Sequence, residues 1–189
     1  MDGIGQIDES SWFYRHVVRR RVALGFAAAA LFVLFASPSR ASVFLGFGFA
    51  LLGEALRTWS SGVIVKTKEL STEGPYGLVR NPLYVGNFLI GLGVAIMGGR
   101  WLFVPVFLGV FLPVYSGLVA KEEKRLLELY GEAFEEYCRA VPRFVPRSLP
   151  WPLPSAPYDA KRMLLKHREW QAWLALYGVT LYLLLRSRP

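Results

Sequence analysis

The sequence predicts an all-α integral membrane protein of about five transmembrane helices with a cytoplasmic amphipathic helix. Three observations predict it: five apolar runs, tryptophans gathered at the run ends, and basic residues distributed unevenly between alternate connecting segments. Of 189 residues, 53% are hydrophobic and only 19% charged, against about 25% charged in an ordinary soluble domain. Mean hydropathy is +0.33. This composition excludes a disordered chain and a typical soluble enzyme. The single cysteine, Cys138, excludes an intramolecular disulfide framework and Cys-pair metal or redox motifs. His16 and His167 stand alone, so no metal site is expected.

The runs cover residues 22–36, 41–55, 83–97, 101–120 and 170–185. Several fall short of the roughly 20 apolar residues a span needs, and flanking Trp, Tyr and Arg extend them to the interface. Trp12, Trp59, Trp101, Trp151, Trp170 and Trp173 lie at or near run ends, where an aromatic belt belongs. With a cytoplasmic N-terminus and alternating spans, 18 of the 22 Lys and Arg residues fall on the cytoplasmic side. The net charge of +8 is thereby assigned to membrane flanks, with no nucleic-acid partner expected. Arg19–Arg21, an apolar run and Ser39-Arg40-Ala41 also fit a signal peptide with its cleavage site; Pro38 and Arg40 fit a short outer loop equally well. The excess of Arg over Lys fits a high-GC bacterium, and the expected location is then a bacterial inner membrane.

The chain reads as one membrane domain over residues 1–189, with its last span at 169–186. Two long stretches, 58–82 and 121–169, do not span, and both fall on the cytoplasmic side. Residues 142–157 are proline-rich and carry no helix signal. Any chemistry is expected where the two stretches meet.

The first stretch ends in Gly74-Pro75-Tyr76 and Arg80-Asn81-Pro82-Leu83-Tyr84-Val85-Gly86. Asn81 suits a helix cap and Pro82 a first helical position. That chemistry could be purely structural. Tyr84, three residues on, faces the same side of the first turn as Asn81. Gly86 admits a close approach by another backbone or a flat ligand. The free N–H groups of the helix start favour an anionic group such as a carboxylate.

The second stretch opens with an amphipathic pattern over 121–137. At 100° per residue, Leu126, Leu127, Tyr130, Ala133, Phe134 and Tyr137 share a face with Glu122 and Glu123, while the other glutamates do not. The pair is either a favourable helix start or faces a polar cavity and binds a cationic or hydroxyl-bearing group. Glu54 and Arg57, three apart, read as a structural ion pair. The basic run 161–168 reads as a lipid-headgroup contact.

These motifs, followed by Leu126, Gly131, Tyr137 and Pro142, resemble the isoprenylcysteine carboxyl methyltransferase superfamily, which includes phospholipid N-methyltransferases. The resemblance covers residues 53–146. It implies a polytopic methyltransferase using S-adenosylmethionine at the cytosolic face, with a lipid-borne or hydrophobic acceptor. Asn81 and Glu122 are the implied catalytic residues. Tyr76, Arg80, Asn81, Pro82, Tyr84, Gly86, Glu122 and Glu123 are the implied cofactor-binding set. Asn81 stands where the family often carries His, and Leu118 about where the prenylcysteine enzymes carry an arginine. Both departures bear on the acceptor more than on the cofactor. The Arg-x-Pro and Tyr motif also resembles that of membrane sterol reductases, which use NADPH. A third alternative is a non-enzymatic membrane subunit retaining the fold.

Overall fold

The computed structural model describes residues 31–64, 70–150 and 152–188. Most of the first apolar run, the arginine triplet, Trp12, Trp151, Lys66 and Lys68 lie outside them. The described residues form helices α1 (Arg40–Val63), α2 (Pro75–Leu78), α3 (Pro82–Met97), α4 (Phe103–Tyr130), α5 (Glu132–Ala140) and α6 (Glu169–Arg186). A single π-helical turn (Arg162–Lys166) precedes α6, and residues 31–35 are helical.

Helix α1 starts at Ser39 because the chain supplies a reciprocal cap. The Ser39 hydroxyl accepts from the Ser42 amide at 3.1 Å, and the Ser42 hydroxyl accepts from the Ser39 amide at 3.0 Å. Ser39-Arg40-Ala41 is therefore a helix start in this structure. The helix runs eight residues beyond the expected end at Ala55, to Val63. Its polar last turns are internally satisfied: buried Ser60 and Ser61 donate to the carbonyls of Leu56 at 2.6 Å and Thr58 at 3.1 Å.

The expected span at 101–120 and the amphipathic helix after it are one continuous helix, α4. The break falls instead at Gly131, whose φ of 51° ends α4 and lets the chain turn into α5. In α5, Phe134 and Tyr137 are buried while Glu132, Glu135, Glu136 and Arg139 are exposed. The described residues of 142–157 carry no helix, as the prolines require.

The four long helices alternate in direction. At one end the Ser37 amide donates to the Gly98 carbonyl at 2.9 Å, and the Arg188 amide donates to that of Pro38 at 3.1 Å. At the other end Arg57 of α1 meets Glu169 of α6, and Tyr84 of α3 meets Glu122 of α4. Helices α2 and α5 and the connector all gather at this second end, where the Arg80 amide donates to the Pro142 carbonyl at 2.8 Å and the Asp159 amide to that of Gly62 at 3.0 Å.

Helices α1 and α3 pack most closely. A Cβ built on Gly46 would lie 2.3 Å from the Gly93 carbonyl oxygen, and one on Gly53 would lie 2.6 Å from that of Gly86. Four glycines, seven residues apart on each helix, thus bring two backbones into contact, as small residues do between membrane helices. Helices α3 and α4 meet through aromatic rings: Phe88 against Phe107 and Phe111, and Tyr84 against Tyr115.

Helices α1 and α4, at 24 and 28 residues, are long and apolar enough to cross a membrane. Helix α3 is apolar but only 16 residues long, and α6, at 18, does not meet the same measure. Exposed leucine, valine and phenylalanine side chains cover the outer faces of α1, α4 and α6, among them Phe44, Leu52, Val110, Leu112, Leu174 and Leu185. A surface this apolar belongs in a bilayer.

Candidate functional site

The start of α3 is held by the end of α4 and the chain after α5. Glu123 is 4% exposed and collects donors from three residues. Arg80 Nε reaches its Oε1 at 3.3 Å, Asn81 Nδ2 at 3.2 Å and Arg143 Nε at 3.1 Å, and a second Arg143 nitrogen pairs with Oε2. Arg80 also donates to the carbonyls of Cys138 at 2.8 Å and Val141 at 3.2 Å. A buried carboxylate is stable when paired and fully hydrogen-bonded, and this one is. Asn81 occupies the cap position of α3, yet its side chain makes no capping bond. Its amide goes to Glu123 and to the Arg143 carbonyl at 3.4 Å. The capping role expected of that side chain is thereby corrected: the cluster takes it.

Glu122, next in sequence, points elsewhere. It is exposed and accepts the Tyr84 hydroxyl at 2.8 Å. The two glutamates thus divide. Glu123 binds the fold together, and Glu122 faces a cavity of about 740 Å³, within the range of small-molecule sites. Tyr76, Arg80, Asn81 and Glu122 line the cavity, together with Leu118, Lys121, Lys124, Arg125 and Tyr137.

Tyr76 is 6% exposed, and its hydroxyl has no hydrogen-bond partner among the described residues. Its carbonyl accepts the Tyr137 hydroxyl at 2.7 Å, which ties α2 to α5. Burial pushes both phenols up from their ordinary value, with the Glu122 charge adding to the effect at Tyr76. Both therefore stay neutral through the physiological range.

Of the remaining expected site residues, Pro82, Tyr84, Gly86 and Glu123 do not line this cavity. Tyr84 reaches it through Glu122. Pro82 is fully buried. Gly86 faces α1, where a Cβ would lie 2.6 Å from Arg57 Cγ and 2.8 Å from the Gly53 carbonyl oxygen. Of the two approaches this glycine could admit, the structure shows another backbone. The Glu54–Arg57 ion pair is not formed as expected. Arg57 donates to both oxygens of Glu169, at 3.0 and 2.9 Å, and to Asn87. Glu54 is buried with neither carboxylate oxygen hydrogen-bonded among the described residues. Arg143, Asn87 and Glu169 were not singled out from the sequence. A glutamate on an apolar helix face needs a cation, and that requirement is the one signal that points toward Arg143.

Residues 26–133, more than half of the chain, match the phospholipid methyltransferase family. The chain belongs to that family. A protein-S-isoprenylcysteine O-methyltransferase of Schizosaccharomyces pombe is 32% identical over 111 residues, which cover 52% of this chain and 47% of that protein. A methanethiol S-methyltransferase of Crocosphaera subtropica is 37% identical over 78 residues, covering 41% of this chain and 29% of that one. A delta(14)-sterol reductase of Mus musculus is 32% identical over 84 residues, covering 42% of this chain and 19% of that one. The chain therefore spans less than half the length of these relatives. No solved structure matches it.

Membership in the phospholipid methyltransferase family implies S-adenosylmethionine as the general methyl donor. The residues present suit that group. Glu122 can accept from an ammonium or from ribose hydroxyls, and Lys121, Lys124 and Arg125 line the same cavity with positive charge. Tyr76 offers an aromatic face and a hydroxyl with no hydrogen-bond partner among the described residues. Helices α2 and α4 thus present acceptor, cation and ring around one space.

Proposed function

We propose that this chain transfers a methyl group from S-adenosylmethionine to a lipid-borne or hydrophobic acceptor at the cytosolic membrane face. The observation that carries this reading is the cavity bounded by Tyr76, Arg80, Asn81 and Glu122, set at the end of apolar helices in a methyltransferase family member.

When bound, the cofactor supplies an electrophilic methyl group on a sulfonium. The chain's own residues bind and orient. Glu122, aimed by the Tyr84 hydroxyl, holds the ammonium or ribose hydroxyls. Asn81, fixed by Glu123, lines the wall and cannot take a proton near neutral pH. An acceptor that arrives as a carboxylate or a neutral amine needs little general-base help and suits this wall. Correct placement of two reactants can be worth roughly 7–11 kcal/mol. The apolar outer faces of the helices let a hydrophobic tail remain in the bilayer. In this reading the site, the N-terminus and the 121–169 segment share the cytoplasmic side of a bacterial inner membrane, and the bundle has five spans.

A reductase using NADPH is the second reading, favoured by the likeness to the sterol reductase. Calorimetry on the protein in detergent separates the two. Saturable binding of S-adenosylmethionine, weakened by Glu122→Gln and unchanged by Glu132→Gln, supports the methyltransferase. Binding of NADPH alone overturns it, and binding of neither favours a subunit that keeps the fold without catalysis.

A further inference from the structure

Helix α6 lies wholly outside residues 26–133, the segment that matches the family. Yet its first residue, Glu169, is 3% exposed and is gripped by Arg57 of α1. Arg57 Nη2 donates to Oε1 at 3.0 Å and to Oε2 at 2.9 Å, and Nε reaches Oε2 at 3.3 Å. Such a two-oxygen grip fixes orientation as well as distance. Arg57 has another carboxylate one turn back on its own helix, Glu54, which makes no hydrogen bond among the described residues. The guanidinium crosses to α6 instead.

Arg57 also touches the motif at the start of α3. Its side-chain stem fills the space that Gly86 leaves by having no Cβ. Its other terminal nitrogen donates to Asn87. Gly86 and Asn87 follow Tyr84 by two and three positions, in the helical turn whose tyrosine aims Glu122. A second tie joins α6 to α1 nearby, from Trp173 Nε1 to Thr58 Oγ1 at 3.1 Å.

We propose that Glu169 is a positioning residue for the cofactor site, acting through Arg57 on the first turns of α3. The proposal rests on the site assignment made above. The added C-terminal helix is then part of the site's support, because its first carboxylate orients the arginine that packs on Gly86 and Asn87. No substrate or cofactor atom meets Glu169 in this role.

The test compares Glu169→Gln with Leu183→Ala. Leu183 is fully buried on α6, fourteen residues beyond Glu169, in a cluster with Ala36, Val43 and Met97, so its truncation loosens α6 away from the Arg57–Glu169 pair. Amide hydrogen exchange of the cofactor-free protein in detergent is followed over residues 79–87, together with calorimetric affinity for S-adenosylmethionine. Glu169→Gln should speed exchange there and weaken affinity by about tenfold, the size expected when a charge-assisted bond is lost. Leu183→Ala should lower the melting temperature and leave both readings unchanged. Arg57→Met keeps most of the stem over Gly86 but loses the grip. It should reproduce the Glu169→Gln result, and the double variant should add nothing further. Unchanged exchange in Glu169→Gln, an equal response in Leu183→Ala, or additive effects in the double variant would each overturn the proposal. If the wild-type protein fails to bind S-adenosylmethionine, the methyltransferase reading falls, and the exchange data alone still decide whether the latch holds α3.

Discussion

The Tyr84 hydroxyl donates to Glu122 at 2.8 Å and joins the first turn of α3 to α4 across 38 residues of sequence. This bond gives an otherwise exposed carboxylate one direction. Tyr84→Phe removes the bond and keeps the ring against Tyr115. A hydrogen bond of this kind is worth about 0.5–1.5 kcal/mol when partly solvated. Affinity for S-adenosylmethionine should fall roughly 2- to 12-fold, a smaller loss than in Glu122→Gln, as read by calorimetry.

Glu123 should behave in the opposite way to its neighbour. Glu123→Ala leaves Arg80, Arg143 and Asn81 facing each other without their common acceptor. Removing one member of a buried ion cluster costs about 3–5 kcal/mol. The melting temperature in detergent should drop sharply, whereas Glu122→Gln should barely change it.

The glycines separate by position. Gly93→Ala sets a methyl group 2.4 Å from the Gly46 carbonyl oxygen and 2.7 Å from the Ala50 nitrogen, so α1 and α3 must part. Gly109→Ala, on α4, meets nothing within 4 Å. A helical Gly→Ala change in open space stabilises by about 1 kcal/mol in water. Thermal unfolding should therefore show a loss for Gly93→Ala and no loss for Gly109→Ala.

Stability should fall at high pH through two phenols. Tyr76 and Tyr137 carry raised values in the folded state, caused first by burial. A raised phenol contributes stability that is whole below the unfolded value of about 10 and is lost as the pH climbs toward the folded value. Tyr137→Phe should flatten this alkaline loss while lowering stability near neutral pH, because the bond to the Tyr76 carbonyl goes with it. A pH series of melting curves checks both.

The alternation of helix direction makes a topological prediction. Reporter fusions after Gly99 and after Ser148 should read opposite sides of the membrane. The same side for both overturns the proposed five-span arrangement.

Much of this arrangement was legible in the sequence. The apolar runs located α1, α3, α4 and α6, and the sequence singled out Asn81 and Glu122, which both line the candidate cavity. The division of labour within the Glu122–Glu123 pair was not legible. Helical periodicity put both glutamates on one face, and it is Arg143, from a proline-rich connector with no periodicity, together with Arg80 and Asn81, that draws Glu123 inward. The same applies to Glu54 and Arg57. Spacing of three predicts a local ion pair, but Glu169 lies 112 positions away and takes the arginine. The continuity of α4 was hidden because the hydropathy changes at Lys121 while the backbone does not turn until Gly131. Local pattern reads what a segment can become; partners distant in sequence fix what each polar group does.

The glycine seam between α1 and α3 has a consequence for how this chain can diverge. Glycine is the smallest residue, so every missense change at Gly46, Gly53, Gly86 or Gly93 adds atoms, and each would meet a backbone atom of the facing helix at under 3 Å. No single exchange there is conservative. A descendant that loses one of these glycines must also have changed the distance between its two helices, and with it the reach of Arg57 across Gly86.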